Sequence, residues 1–291
     1  MKKIIIYLFT LVVLLGAGSC NNDNLSSESL FVDPAEPRTA FDKWLLNNYT
    51  YPYNIDFKYK MVDNESDMSY QLAPADVNKS LALAKLIKYL WLEAYDECVG
   101  VDFLRTYVPR VIHLIGSGAY NANNTVRLGT AEGGMKITLY DVNGLDVDNL
   151  TISDLNDRYL RTMHHEFGHI LHQTKNYSAD FQLITKTGYI GEDWSLYSDQ
   201  TALKEGFISA YSRKAPDEDF VELIAHYIIT PRSAWNSQLE QAGVAGKAFI
   251  EQKLDVVRNY LKTAWRIDIE VLYNIVQERS SNFKRLDLKN L

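Results

Sequence analysis

The five residues His165–His169 read HEFGH, which is the pattern H-E-x-x-H, and they lie in a segment with helical periodicity. Two histidines four positions apart on a helix point to the same side, so both imidazoles can reach one zinc ion. Glu166, which follows the first histidine, can accept a proton from a water that the ion activates. The stretch therefore predicts His165 and His169 as metal ligands, Glu166 as general base, and metal-assisted amide hydrolysis as the chemistry.

The residues around this motif predict a helix with one buried side. Asp154 or Ser153 is the expected N-cap. Apolar residues then recur at helical spacing, at Leu160, Met163, Phe167, Ile170 and Leu171. Gly168 lies between the two histidines, where a small residue lets another backbone approach closely. A structural pair of histidines is the alternative interpretation, and the helical context favours the metal site.

The first twenty residues have the pattern of a targeting signal. Two lysines precede an apolar run over residues 4–15, which is too short for a membrane span. Small residues follow and end at Cys20, an arrangement that resembles the lipobox of bacterial lipoproteins. We expect residues 1–19 to be a signal peptide, Cys20 to be the site of lipidation, and the polar residues 20–38 to be a flexible tether. An ordinary secretory signal with a chance cysteine is the alternative.

Length, charge and cysteine content limit what the remaining chain can do. The chain has 291 residues, a net charge of −7 and no basic block, which argues against a nucleic-acid partner. No second apolar run approaches membrane length, so membrane contact is expected through the N-terminal lipid alone. Only Cys98 remains once Cys20 carries lipid, so no intramolecular disulfide is expected. We expect a monomer with one large domain over residues 39–291.

Periodicity predicts the elements on either side of the motif. Strands are predicted near residues 54–61, 108–115 and 135–140, and further helices near residues 74–98, 218–229, 244–258 and 267–278. Met135–Val142 is the candidate sheet edge to which an extended substrate could add as a strand. An ordinary strand inside the sheet is an equally good interpretation of that segment.

A catalytic zinc ion needs a third protein ligand and an open position for water. Glu218 and Glu222 are four positions apart at the start of a predicted helix and share a face. One can bind the ion while the other accepts a hydrogen bond from a ligand histidine. Glu222 and His226 are also four positions apart, which keeps Glu222 open as the ligand. A solvated acidic helix start, favoured by the helix dipole, is the alternative.

The sequence H-E-F-G-H, with a tyrosine seven residues before E-x-x-x-E, resembles the zinc peptidases related to anthrax lethal factor. With its lipoprotein signal, the chain is most similar to the zinc-binding metallopeptidase family of bacterial outer-membrane lipoproteins. The motif match covers Met163–His172 and Phe207–His226, and Val221 stands where the family commonly has alanine. The resemblance implies one zinc ion per chain on His165, His169 and Glu218, with Glu166 as base, Tyr211 facing the metal and Glu222 orienting a ligand.

The resemblance also implies a fold and an activity. The fold is α+β and zincin-like, with a small mixed sheet, an active-site helix and a mainly helical C-terminal subdomain. Residues 39–175 form the part with the motif helix, and residues 176–291 form the helical part with the third ligand. Metzincins carry glycine at position 172 and histidine at position 175, so His172 and Lys175 exclude that class.

The expected activity is hydrolysis of peptide bonds in a protein or peptide substrate. The enzyme is expected to be lipid-anchored to the bacterial outer membrane, on its periplasmic or cell-surface face. A surface binding lipoprotein with a structural or inactive zinc site is the alternative function. Glu166 and Tyr211 favour catalysis, because a structural site needs neither residue.

Overall fold

The computed structural model describes residues 37–62, 65–67, 69–120, 126–127, 129–132 and 135–291. The predicted signal peptide, Cys20 and the tether up to residue 36 lie outside the described residues. Residues Thr39–Leu291 form one compact unit. The division of this unit at residue 175 stays a prediction.

A small mixed sheet lies in the first half of the described chain. The strands are β1 (Asp56–Lys58), β2 (Val111–Leu114), β3 (Ala119–Tyr120), β4 (Val126–Arg127), β5 (Gly129–Glu132) and β6 (Lys136–Leu139). The sheet has the order β1-β2-β6-β5, in which β1, β2 and β6 are parallel and β5 is antiparallel to β6. Strands β3 and β4 form a separate antiparallel pair. In the two central strands Ile112, Leu114, Ile137 and Leu139 are fully buried and Val111 is partly buried, as expected for parallel strands covered on both faces.

The predicted sheet edge at Met135–Val142 is wrong. Strand β6 pairs with β2 on one side and with β5 on the other, so within the described residues β5 is the strand at that edge. The sequence of β5 reads GTAE, which has neither a β-branched run nor an alternation of apolar and polar residues. The strand forms by pairing with its neighbour, and that signal is absent from local sequence.

Helices make up most of the remaining described chain. Those before the motif are α1 (Ala40–Leu45), α2 (Tyr51–Tyr53), α3 (Val77–Ile87), α4 (Glu93–Val99), α5 (Val101–Tyr107) and α6 (Ile152–Leu155). The motif helix and those after it are α7 (Arg161–Thr174), α8 (Asp180–Ile184), α9 (Asp199–Lys204), α10 (Pro216–Ile229), α11 (Arg232–Gln241), α12 (Gly243–Trp265) and α13 (Ile269–Asn282). Short 3-10 turns cover Val142–Gly144, Lys186–Gly188, Gly191–Leu196, Tyr211–Arg213 and Phe283–Arg285. Among the described residues, no helix is both long and apolar enough to cross a membrane.

In the described ranges, three π-helical turns join α-helices end to end: Leu46–Thr50, Lys88–Leu92 and Asn156–Leu160. The last of these joins α6 to α7, so the helix that carries the motif begins earlier than predicted. Thr151 is its N-cap: its hydroxyl accepts from the Asp154 backbone N–H at 3.1 Å, and the Asp154 carboxylate accepts from the Thr151 backbone N–H at 3.2 Å. The predicted N-cap at Asp154 or Ser153 is therefore wrong, because Asp154 is the third residue of a capping box.

Helix α7 packs along α10, and Gly168 lies against Val221 in this contact. A Cβ atom placed at Gly168 would lie 2.9 Å from Val221 Cγ1 and 3.1 Å from Val221 Cβ. The predicted close approach at Gly168 is thus present, and it fixes the separation of the two helices. In this coarser form the predicted fold is confirmed as a mixed α/β chain with a small sheet and a mainly helical C-terminal part.

Candidate metal centre

Three side chains from α7 and α10 meet where the two helices cross. His165 Nε2 lies 3.2 Å from His169 Nε2. Glu218 Oε2 lies 3.2 Å from His165 Nε2 and 3.3 Å from His169 Nε2. A tetrahedral zinc ion with nitrogen and oxygen ligands at about 2.0–2.1 Å holds those ligand atoms about 3.3–3.4 Å apart. The two nitrogens and one oxygen therefore have the spacing and the chemistry of three corners of such a site.

Each of the two histidines is held by a partner on its outer nitrogen. His165 Nδ1 lies 2.9 Å from Glu222 Oε1, and His169 Nδ1 lies 2.9 Å from His172 Nε2. A proton on each Nδ1 satisfies these contacts and leaves the Nε2 lone pair directed into the triangle. His172 thus lies directly behind a triangle residue.

Glu222 lies behind His165 and outside the triangle. Its Oε2 accepts a hydrogen bond from Ser209 Oγ at 2.8 Å and lies 3.3 Å from His226 Nε2. Both oxygens of this buried carboxylate are therefore engaged away from the triangle. Of the two glutamates that the sequence left open, Glu218 is the one that joins His165 and His169.

The electrostatics of the centre favour a cation. Burial by itself would lower the pKa of His165, but hydrogen bonds to Glu218 and Glu222 raise it to about 10. Burial would raise the pKa of Glu218 and of Glu222, but hydrogen bonds to histidines, including His165, hold both pKa values below the ordinary value. Carboxylates that draw a proton onto His165 in the absence of metal also attract a divalent ion to the same place.

Glu166 and Tyr211 both lie at this centre. Burial raises the pKa of Glu166, an effect that His165 and His169 oppose. The ring of Tyr211 lies 5.9 Å from the ring of His165 and packs edge-on against Trp194 at 4.9 Å. Burial, followed by the charge of Glu218, raises the pKa of Tyr211, so its hydroxyl keeps its proton at neutral pH.

The neighbouring His164 is kept away from the centre. Its side chain is fully buried, and its Nδ1 lies 3.1 Å from the hydroxyl of Tyr95. Burial lowers the pKa of His164 to about 3, so the imidazole is neutral. This histidine belongs to the core that packs against the back of α7.

A buried ion pair fixes α10 from the other side. Lys253 on α12 lies 2.6 Å from the carboxylate of Asp219, the residue after Glu218, and both side chains are 1% exposed. Lys253 also donates to the carbonyl of Gly206 at 2.8 Å, and Tyr189 donates to Asp219 at 3.0 Å. Helix α10 is thus clamped at the turn that presents Glu218.

Sequence reasoning missed two residues at this centre. Lys214 lies 3.6 Å from Glu218 Oε1 and 3.4 Å from the Tyr211 hydroxyl. Its spacing of four from Glu218 was a visible signal that was not used. Ser209, the partner of Glu222, has no such signal, because its position depends on the fold of the turn before α10.

A helix that presents H-E-x-x-H, completed by a carboxylate from a second helix, defines a zinc-type site of two histidines and one glutamate. Residues 34–270 match the family described as "Putative zinc-binding metallo-peptidase", and the chain belongs to that family. This finding confirms the family that the sequence motifs predicted.

A solved structure supports the same family. The crystal structure of a "putative zinc-binding metallo-peptidase" from Bacteroides caccae ATCC 43185 is similar to this chain, with a TM-score of 0.76 and 43% sequence identity. The similarity covers 86% of this chain and 95% of that one. No curated protein sequence matches this chain.

Proposed function

We propose that this protein is a zinc-dependent peptidase that hydrolyses peptide bonds in a protein or peptide substrate. The observation that carries the proposal is the triangle of His165 Nε2, His169 Nε2 and Glu218 Oε2, with sides of 3.2, 3.2 and 3.3 Å. Membership of a zinc-binding metallopeptidase family supports zinc as the ion. Three protein ligands are the number that a catalytic zinc site uses, whereas a structural site uses four.

In this proposal the chain holds one zinc ion with His165, His169 and Glu218, while Glu222 and His172 orient the two imidazoles. When bound, the ion supplies Lewis acidity, which activates a water and polarises a carbonyl.

The remaining groups handle protons and charge in the proposed reaction. Glu166 accepts the proton of the attacking water and later passes it to the leaving amine. Burial raises the pKa of Glu166 toward neutral pH, and such a shift suits both the acceptance and the release of the proton. Tyr211 keeps its proton and donates a hydrogen bond to the carbonyl oxygen as negative charge develops there. A purely structural zinc site would use neither residue, and this disfavours the alternative of a binding lipoprotein with an inactive site.

The fold offers a place for an extended substrate. Strand β5 lies beside α7, and within the described residues it pairs on one side only, with β6. We propose a zincin-like arrangement in which substrate adds as a further strand along β5. This replaces the segment Met135–Val142 that the sequence suggested for the role.

The cellular setting is part of the proposal. Cys20 would carry lipid and hold the monomer at the outer membrane, on its periplasmic or cell-surface face, after removal of residues 1–19. The lipobox-like sequence supports this placement. Labelling with a radioactive fatty acid, with Cys20→Ser as the control, tests it; label that persists in the variant would refute it.

The direct test of the site is metal content by mass spectrometry on the chain from Asn21 onward. Wild type should hold one zinc ion per chain, Glu218→Ala should lose it, and Glu222→Ala should retain it with reduced affinity. The opposite ranking of the two variants would make Glu222 the ligand. A folded wild type that holds no zinc after zinc dialysis would refute the site.

The test of the reaction is cleavage of a peptide library by the zinc-loaded protein. Glu166→Gln has nearly the same shape as wild type and cannot accept a proton, so it should keep zinc and lose turnover. Turnover retained by the metal-loaded variant would remove Glu166 from the role of base.

A further inference from the structure

Lys214 brings an ammonium group to the candidate metal centre. Its Nζ lies 3.4 Å from the hydroxyl of Tyr211, 3.6 Å from Glu218 Oε1 and 3.8 Å from Glu192 Oε1. The side chain is 31% exposed, so water screens the charge only in part. The Lys214 backbone N–H donates to the Tyr211 carbonyl at 2.9 Å, and this tight turn fixes the spacing between the two side chains.

The adjacent cation, Arg213, has a different position. Its side chain is buried, lies 2.7 Å from Glu205 and donates to the carbonyl of Gly188 at 3.2 Å. Its guanidinium also lies 4.6 Å from the ring of Tyr197. Arg213 thus ties the loop after α8 to the turn that carries Tyr211. Lys214 is the cation of this pair that contacts the metal centre.

We propose that Lys214 is a positioning residue for the hydrolysis, acting through Tyr211; this inference rests on the proposed function. An ammonium has three donors and no acceptor, whereas a phenol has one proton and two lone pairs. A Tyr211 oxygen that accepts from Lys214 must therefore send its own proton in another direction, and the Glu218 carboxylate of the metal centre is its hydrogen-bond partner there. The ammonium also strengthens that donor, because hydrogen bonds in a partly dry site polarise one another.

A simpler role for Lys214 is an ordinary surface ion pair with Glu218. Exposed ion pairs of this kind contribute little free energy. The chain offers a comparison in Lys247 on α12, which lies 3.8 Å from Glu251 four positions later and is 47% exposed. The ion-pair role predicts no energetic coupling between Lys214 and Tyr211, so the two roles can be separated.

The experiment first measures the zinc content of each variant. Isothermal titration calorimetry then measures binding of an N-phosphoryl dipeptide, the probe, to the zinc-loaded mature chain. The phosphoryl group presents a tetrahedral anion where the carbonyl oxygen would develop charge. The variants are Lys214→Met, Lys214→Arg, Tyr211→Phe and the double variant Tyr211→Phe/Lys214→Met, with Lys247→Met as the control.

We expect all variants to keep wild-type zinc content. Lys214→Met should weaken probe binding about tenfold relative to Lys247→Met, the loss expected for one charge-assisted hydrogen bond. Lys214→Arg should retain most of the affinity. In the Tyr211→Phe background, Lys214→Met should have little further effect, because the oxygen that it positions is gone.

Three results would overturn the inference and leave the proposed function intact. The first is unchanged probe affinity in Lys214→Met. The second is a loss of affinity that persists at full size in the Tyr211→Phe background. The third is loss of zinc from Lys214→Met, which would show that Lys214 supports Glu218 instead. A zinc-free wild type, or a zinc-loaded wild type that binds no probe, would instead overturn the proposed function together with the inference.

Discussion

Replacement of Gly168 by alanine tests the close contact that sets the distance between α7 and α10. The added methyl would lie 2.9 Å from Val221 Cγ1, whereas two carbon atoms prefer about 3.5–4.0 Å. Val221 cannot turn aside easily, because a β-branched side chain in a helix has one strongly preferred rotamer. The helices must therefore separate by a few tenths of an ångström or more.

Two opposing terms decide the free energy of unfolding of this variant. Alanine is favoured over glycine in a helix interior by about 1 kcal/mol. Overpacking of a well-packed interior costs about 1–3 kcal/mol. The net effect of Gly168→Ala should be a loss of about 1 kcal/mol. The substitution should also weaken zinc binding, since Val221 lies one turn after Glu218 and separation of the helices draws Glu218 away from His165 and His169.

The matched variant is Gly168→Ala in a Val221→Ala background. Removal of Cγ1 takes away the 2.9 Å contact and leaves the 3.1 Å contact with the Val221 Cβ, so part of the overlap is relieved. Gly168→Ala should then cost less free energy of unfolding in the Val221→Ala background than in wild type. The measurements are urea unfolding of the metal-free proteins and zinc affinity by chelator competition. The reasoning is refuted if Gly168→Ala in the wild-type background is about 1 kcal/mol more stable, as propensity alone predicts, with unchanged zinc affinity.

Three further changes test the supports of the site. His172→Ala should lower zinc affinity by about tenfold to a hundredfold, because the ligand histidine beside it loses its hydrogen-bond partner; equal affinity in chelator competition would contradict this. Thr151→Ala should reduce the free energy of unfolding by about 1 kcal/mol through loss of the N-cap, whereas Ser153→Ala should change it little. If urea unfolding showed the larger loss for Ser153→Ala, Ser153 would be the N-cap. Lys253→Met should destabilise the protein by about 3–5 kcal/mol, because Asp219 is left buried without its partner. Adding Asp219→Asn should recover part of that loss in thermal unfolding, and a lack of recovery would show that the lysine acts by packing alone.

The motif helix and the candidate ligands were predictable because their signals are local. H-E-x-x-H in a helical context places two imidazoles on one face, and apolar spacing predicts which face of the helix is buried. The spacing of Glu218 and Glu222 gave two candidates for a third position. Spacing alone could not choose between them, because the choice depends on how α10 is rotated against α7, and tertiary packing fixes that rotation.

The features that the sequence missed depend on strand pairing and turn geometry, which the apolar pattern does not record. Strand β5 has no apolar pattern and forms because β6 pairs with it. The cap at Thr151 was missed because Asp154 is itself a good N-cap residue and here serves as the third residue of a capping box. Lys214 reaches Tyr211 because a 3-10 turn brings them together.

The separation of the site residues along the chain has a mechanical consequence. His169 and Glu218 are 49 positions apart, and an ion bound to both would close that stretch into a ring. A covalent link that closes a ring of about 50 residues lowers the conformational entropy of the denatured chain. In the chain-entropy description, this stabilises the folded state by about 4 kcal/mol. Cys98, the one cysteine in the described part of the chain, is unpaired, so the ion would be a reversible cross-link in a protein without disulfides there. A protease nick in the exposed turn Gly191–Leu196 would then leave two fragments held together by the metal and by the shared core, and a chelator should lower the urea concentration at which they separate.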